Sequence, residues 1–174
     1  MSELRGSAEA ARRSSTVQDF AASELFDRTF QEGMDLVEET AAYLDGEGRQ
    51  DSKRLPRKAA LAYAAESMQL TTRLMQLASW LLVQRAVREG RMAPSEACAD
   101  RYRLVHQLFS APPPENMDDL PFGLVELVDR ASRLYERVQH LDRRMYLEPP
   151  VDEDSHPVLS QLDRLQAAFG SNAA

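Results

Sequence analysis

The chain is predicted to be all-α: a three-helix bundle with a short extra helix and a flexible C-terminal tail. Three observations predict it. Good helix formers are plentiful among the 174 residues while glycine numbers only 7. Apolar residues recur at three- and four-residue steps through three long stretches. β-Branched runs are absent.

Residues 1–17 are small, polar and without periodicity, and are expected to form a flexible arm ahead of a bundle over residues 18–146. Phe26, Phe30, Met34, Val37, Ala41 and Leu44 make the stripe of a first amphipathic helix. It is expected to stop at Asp45-Gly46-Glu47-Gly48, whose glycines suit a left-handed helix end. Gly33 sits inside it at a cost of about 1 kcal/mol relative to alanine, which suits a close helix approach.

The second helix is expected to start between Ser52 and Pro56 and to run to about Glu89, before Gly90. It carries two apolar stripes. Leu61, Met68, Met75 and Leu82 share one face, flanked by Ala65, Thr72, Ser79 and Ala86; Leu70, Leu74, Leu77 and Leu81 share the opposite one. A surface helix needs a single stripe, so this helix is expected to be central and packed from both sides. Glu66, Gln69, Arg73, Gln76 and Gln84 form a polar stripe from which Trp80 projects. Either a neighbouring segment covers Trp80 or it anchors an interface.

Met92-Ala93-Pro94-Ser95 reads as a stop and a new start, giving a short helix to about Phe109 that Ala111-Pro112-Pro113-Pro114 ends. Leu120, Leu124, Leu127, Ala131, Leu134, Val138, Leu141 and Met145 then keep the seam pattern of a helix lying along a partner, with Asp118 and Asp119 at its start. Residues 147–174 are expected to be an acidic linker, Glu148 to Asp154, and a short amphipathic helix with Val158, Leu162, Leu165 and Phe169 on one side. Such a short helix is marginal alone in water. It docks either on its own bundle or in a partner's groove.

No stretch is long and apolar enough to cross a bilayer, and Arg5, Arg12 and Arg13 have no apolar run behind them, so no secretory signal is expected. One cysteine, Cys98, allows no internal disulfide and suits the cytoplasm. A net charge of -7 repels phosphate backbones. His106, His140 and His156 lack metal-pair spacing, and neither a phosphate loop nor a nucleophile elbow is present. The expectation is no enzyme, no metal and no cofactor. Lys53, Arg54, Arg57 and Lys58 form the one dense basic cluster, either a solvated turn or a docking patch for something acidic, the chain's own Asp152 to Asp154 included.

The run ESMQLTTRLMQLASWLLVQRAV from Glu66 to Val87 resembles the signature of the alphaproteobacterial RcdA family. MDLVEETAAYLDGEGR from Met34 and ENMDDLPFGLVELVDRASRLYERV from Glu115 are similar to it in order and spacing. The resemblance implies a dimeric cytoplasmic adaptor for regulated proteolysis by ClpXP during the cell cycle, with the cell pole as one location. It implies linking an unfoldase-bound adaptor similar to CpdR to cargo transcription factors, including CtrA with an effector resembling PopA. Periodicity adds that the second helix has more apolar face than a monomer easily covers. The terminal Ala173-Ala174 resembles ends that the ClpX unfoldase recognises, or is a frayed terminus. The other function classes are a nucleic-acid-associated transcriptional regulator using residues 53–58 and a purely structural assembly protein.

Overall fold

The computed structural model describes residues 2–104 and 119–146, with no strand among them. Six α-helices are present in that range: α1 (Ser2–Ala22), α2 (Glu24–Asp45), α3 (Glu47–Ser52), α4 (Arg57–Arg88), α5 (Pro94–Ala97) and α6 (Phe122–Tyr146), with a 3-10 turn at Asp100–Tyr102. The long helices α2, α4 and α6 make the bundle. Leu36 of α2, Leu70, Leu77 and Leu81 of α4, and Leu124, Leu134 and Val138 of α6 meet in its core, each nearly or fully shielded from water.

Sequence punctuation sets the helix ends. Ser23 adopts an extended conformation between α1 and α2, and its Oγ accepts the Phe26 N–H at 3.2 Å, satisfying a donor that the helix start leaves open. Pro56 is extended ahead of α4 and fixes where that helix can begin. Gly90, at φ 69, turns the chain after α4 in a conformation that a side chain resists.

Polar contacts report the direction of each helix. Arg130 pairs with Glu39 at 2.8 Å and Arg137 pairs with Glu32, so α2 and α6 are antiparallel. Between α4 and α6, Arg73 donates to Ser132, Tyr135 to Gln76 and Gln84 to Tyr146. Their numbers rise together, so those two helices run parallel and the chain must return the length of the bundle between them. Gly33 lets α2 approach α4: a Cβ there lies 2.5 Å from Leu81 Cδ1.

Four expectations change. The flexible arm over residues 1–17 is replaced by α1, whose Val17 and Ala21 are fully buried while Phe20 meets Trp80 at a ring separation of 5.7 Å. Those three residues span only one turn, too little periodicity to read against a polar background. Gly46 ends α2 without a left-handed turn, at φ -104, because α3 follows at once. The short helix after Pro94 covers only Pro94–Ala97 before the 3-10 turn. Finally, α4 is not packed from both sides; its second stripe is open. The expected end of the short helix at Phe109, the proline run at 112–114, the acidic linker, the tail helix with Val158, Leu162, Leu165 and Phe169, and Ala173-Ala174 all lie outside the described residues.

Candidate partner-docking surface

Helix α4 buries one apolar stripe, Leu70, Leu74, Leu77 and Leu81, together with part of its polar stripe, and leaves the other apolar stripe open. Glu66 and Gln84, members of the polar stripe, are buried. Leu61, Met68, Met75 and Leu82 stand 67%, 72%, 66% and 52% exposed. Seven residues are about two turns, so these four side chains form a ridge roughly 30 Å long on a single face. Isolated exposed apolar residues need no explanation, but an aligned row of four on one helix makes this face the candidate docking surface.

The small residues beside the ridge are less polar than their names suggest. Thr71 donates to the Ser67 carbonyl at 2.8 Å, Thr72 to the Met68 carbonyl at 2.9 Å and Ser79 to the Met75 carbonyl at 2.8 Å. Each hydroxyl hydrogen is thus used inside the helix, leaving little need for water. A furrow runs along either flank. One, of about 330 Å³, lies between α2 and α4 with Val37, Ala41, Leu44 and Met75 on its walls. The other, of about 490 Å³, lies between α4 and the 3-10 turn, with Met75, Val83, Tyr102 and Leu104. Met75 is the crest between them.

The basic cluster sits at the start of α4, where the helix dipole adds further positive potential. Lys53, Arg54, Arg57 and Lys58 are all exposed. No ion pair involves them among the described residues, while Arg85 and Arg91 at the other end share Glu89 and Arg88 pairs with Asp27. The two ends of α4 therefore differ among the described residues: ion pairs tie down the cations of one, whereas at the other Arg54 shares a hollow with Glu47, Asp51 and Asp119 without an ion pair.

Trp80 is no surface anchor. It is 1% exposed, covered by Phe20 of α1, and its Nε1 donates to Asp142 Oδ1 at 3.0 Å. Arg103 reaches the other carboxylate oxygen at 3.0 Å, and its guanidinium lies 4.9 Å from the Tyr146 ring centre. Burial pushes the Tyr146 hydroxyl up to about 12, although a bond from Gln84 at 3.1 Å works in the opposite direction. Burial also raises the Cys98 thiol, which makes it a poorer nucleophile. Reasoning from sequence missed Asp142, whose only signal was a charge next to the helical seam, and Arg103, which had none.

Among the described residues, no group of three or more His, Cys, Asp or Glu side chains is placed to hold a metal ion. No helix there is long and apolar enough to cross a membrane. The arrangement offers recognition surfaces: an apolar ridge, two furrows and a cationic end.

Comparison with known proteins agrees in extent. A family model described as "Protein of unknown function (DUF1465)" matches residues 17–169. The crystal structure of RcdA from Caulobacter crescentus CB15 is similar at 66% sequence identity, covering 75% of this chain and 98% of that chain, with a TM-score of 0.62. Among curated proteins none matches.

Proposed function

Because the chain belongs to the RcdA family, represented by the DUF1465 model, we propose that it is a non-catalytic adaptor in regulated proteolysis that dimerises through the α4 ridge and holds other proteins for ClpXP. The observation that carries this reading is the open row Leu61, Met68, Met75 and Leu82 between two apolar furrows. The row is self-complementary. In an antiparallel pair related by a two-fold axis, Leu61 faces Leu82 of the other copy and Met68 faces Met75, with Thr71 and Thr72 at the crossing. A parallel pair sets two exposed basic clusters and two like dipole ends side by side, which is repulsive.

Dimerisation leaves the α2 and α6 surfaces and the tail, with Val158, Leu162, Leu165 and Phe169, for an unfoldase-bound adaptor resembling CpdR, cargo transcription factors and an effector resembling PopA. Cytoplasmic placement, at the cell pole when proteolysis is active, belongs to the same reading. Reconstituted degradation tests it. Adding the full chain to ClpXP and a CpdR-like adaptor is expected to speed turnover of a cargo such as CtrA in the presence of the PopA-like effector, and Met68→Lys with Met75→Lys to abolish that gain. Unchanged turnover in the presence of the wild-type chain overturns the reading.

A nucleic-acid-associated regulator is the second reading, favoured only by the four exposed cations at residues 53–58 and opposed by the net charge of -7. Absence of DNA binding at low salt removes it.

A further inference from the structure

Where α2 ends and α6 begins, the bundle carries a hollow of about 600 Å³ that shares no residue with the α4 ridge or its furrows. Its walls come from Tyr43 of α2, Glu47 and Asp51 of α3, Arg54 and Leu55 ahead of α4, and residues 119–123 around the start of α6. Glu47 and Asp51 are one helical turn apart, so both carboxylates lie on one side of α3. With Asp119 they set three carboxylates against the guanidinium of Arg54, and none of these groups is in an ion pair among the described residues. Negative charge is in excess there.

The floor of the hollow is aromatic. A Cβ at Gly48 would lie 2.5 Å from Tyr43 Cε1 and 2.7 Å from the Tyr63 hydroxyl, and one at Gly123 would lie 2.7 Å from Tyr43 Cε2. The Tyr43 ring is thus gripped edgewise between α3 and α6, and the Tyr63 hydroxyl abuts the turn of α3 that carries Glu47 and Asp51. Tyr63 is 8% exposed, and its hydroxyl and that of Tyr43 are buried without a hydrogen bond among the described residues. The Leu124 backbone stands beside Tyr43 and Ser67 beside Tyr63, neither in bonding geometry. Burial, with Tyr63, Asp51 and Glu47 adding to it, pushes the Tyr43 hydroxyl up to about 12, so the carboxylates of α3 act on this floor. Buried oxygens left unpaired are costly, and a donor entering the hollow relieves that cost. On the rim stands Phe122, 79% exposed, more than any other large apolar side chain among the described residues.

Excess carboxylate, a phenol oxygen without a donor and an open aromatic face together suit an organic cation, and Leu55, Leu120 and Pro121 suit one carried on an alkyl stem. A guanidinium meets these demands better than an ammonium, being planar, rich in N–H donors, weakly hydrated and prone to stack on rings. The chain is a poor source of it: residues 105–118 hold no lysine or arginine, and residues 147–174 hold only Arg164. We infer that the hollow receives an arginine side chain of a partner protein, with Glu47, Asp51 and Asp119 as counter-charges, the Tyr43 oxygen as acceptor and Phe122 as stacking face. Arg54 competes for the same carboxylates and so limits how tightly the incoming arginine is held. The site does not rest on the α4 pairing proposed above.

Peptide titration into the isotope-labelled full chain, followed by NMR at the Gly48 and Gly123 amides, reads occupancy of the hollow. The probes are acetyl-Ala-Leu-Arg-Leu-Ala-amide and the same peptide with lysine or citrulline at its centre. Saturable shifts are expected with the arginine peptide, with binding about 10-fold weaker for uncharged citrulline and a few-fold weaker for lysine. Asp51→Asn with Asp119→Asn is expected to weaken the arginine peptide about 3- to 10-fold and Phe122→Ala about 2- to 5-fold, while Arg54→Ala tightens it about 2- to 5-fold. Circular dichroism checks that each variant is folded. Absence of shifts at millimolar arginine peptide, or equal binding of citrulline, overturns the inference, and equal binding of lysine overturns the assignment to arginine. If Arg164→Gln moves the same amides before any peptide is added, the chain's own arginine fills the hollow and the partner is overturned. No protease enters the assay, so its failure is separate from a failure of the adaptor reading.

Discussion

The Trp80 indole donates to the Asp142 carboxylate at 3.0 Å with both side chains shut off from water, and Arg103 takes the other oxygen of that carboxylate. One acidic group therefore joins the last third of α4, the end of α6 and the segment leaving the 3-10 turn. Replacing Asp142 with Ala leaves a largely buried guanidinium without its counter-charge and is expected to cost about 3 to 5 kcal/mol. Trp80→Phe keeps a six-membered aromatic ring but loses the pyrrole half of the indole with its bond to a charged acceptor, for at least about 1.5 to 3 kcal/mol. Urea denaturation followed by circular dichroism ranks the two, and equal losses would show that the guanidinium contributes nothing.

Gly33 faces Leu81 with no room for a methyl group. Gly33→Ala gains about 1 kcal/mol of helix propensity and forces a fully buried leucine to shift, at about 1 to 3 kcal/mol. The net expectation is a loss of up to about 2 kcal/mol in the same denaturation assay. A stabilised variant would mean that Leu81 has room to yield at the α2–α4 approach.

Two residues of α4 separate folding from assembly. Leu77 is fully buried, and Leu77→Ala is expected to cost about 2 to 5 kcal/mol through the cavity it opens. Met75→Lys alters the crest of the open ridge and is expected to change monomer stability by no more than about 0.5 kcal/mol. Light scattering should nevertheless show its mass falling to the single-chain 19.6 kDa. If it stays at twice that mass, the ridge is not the dimer contact.

Alkaline pH gives a signed test. In the folded chain Tyr146 holds its proton up to about 12, against an ordinary value of 10.0. The folded state therefore binds that proton more tightly, so the contribution to stability is complete below pH 10 and is lost as pH rises through about 12. The loss is at most roughly 2 to 3 kcal/mol. Tyrosinate absorbance should show late ionisation for the native chain, and Tyr146→Phe should lose the late component attributable to this group. Stability that rises over that interval would contradict the buried hydroxyl.

The bundle was legible because Leu124, Leu127, Ala131, Leu134 and Val138 repeat at steps that only a helix aligns on one face. The close approach at Gly33 was legible for a similar reason: glycine inside a helix has a cost that something must offset. The orientation of α4 was only half legible. Both its apolar stripes were visible, yet composition favoured burying each of them, while the fold buries Glu66, Gln84 and Trp80 on the side facing α6 and leaves Met68 and Met75 outside. Periodicity gives angles around an axis and no information about which neighbour occupies them. Asp142 was illegible because its partners lie 62 and 39 positions away.

The parallel course of α4 and α6 has a consequence for how the gene can change. Matching Arg73 to Ser132 puts the start of α6 level with about residue 63, so the connection from Glu89 must travel back some 39 Å. About twelve drawn-out residues cover that distance, yet residues 90–121 supply 32. Some twenty positions are therefore surplus to closure, and doubling the length of a loop costs only about 0.6 kcal/mol. Ala97 and Leu104 are buried and Arg103 pairs with Asp142, so the first half of this connection is held to the bundle, and a modest change in the connection's overall length is expected to alter the closure cost by well under about 0.6 kcal/mol.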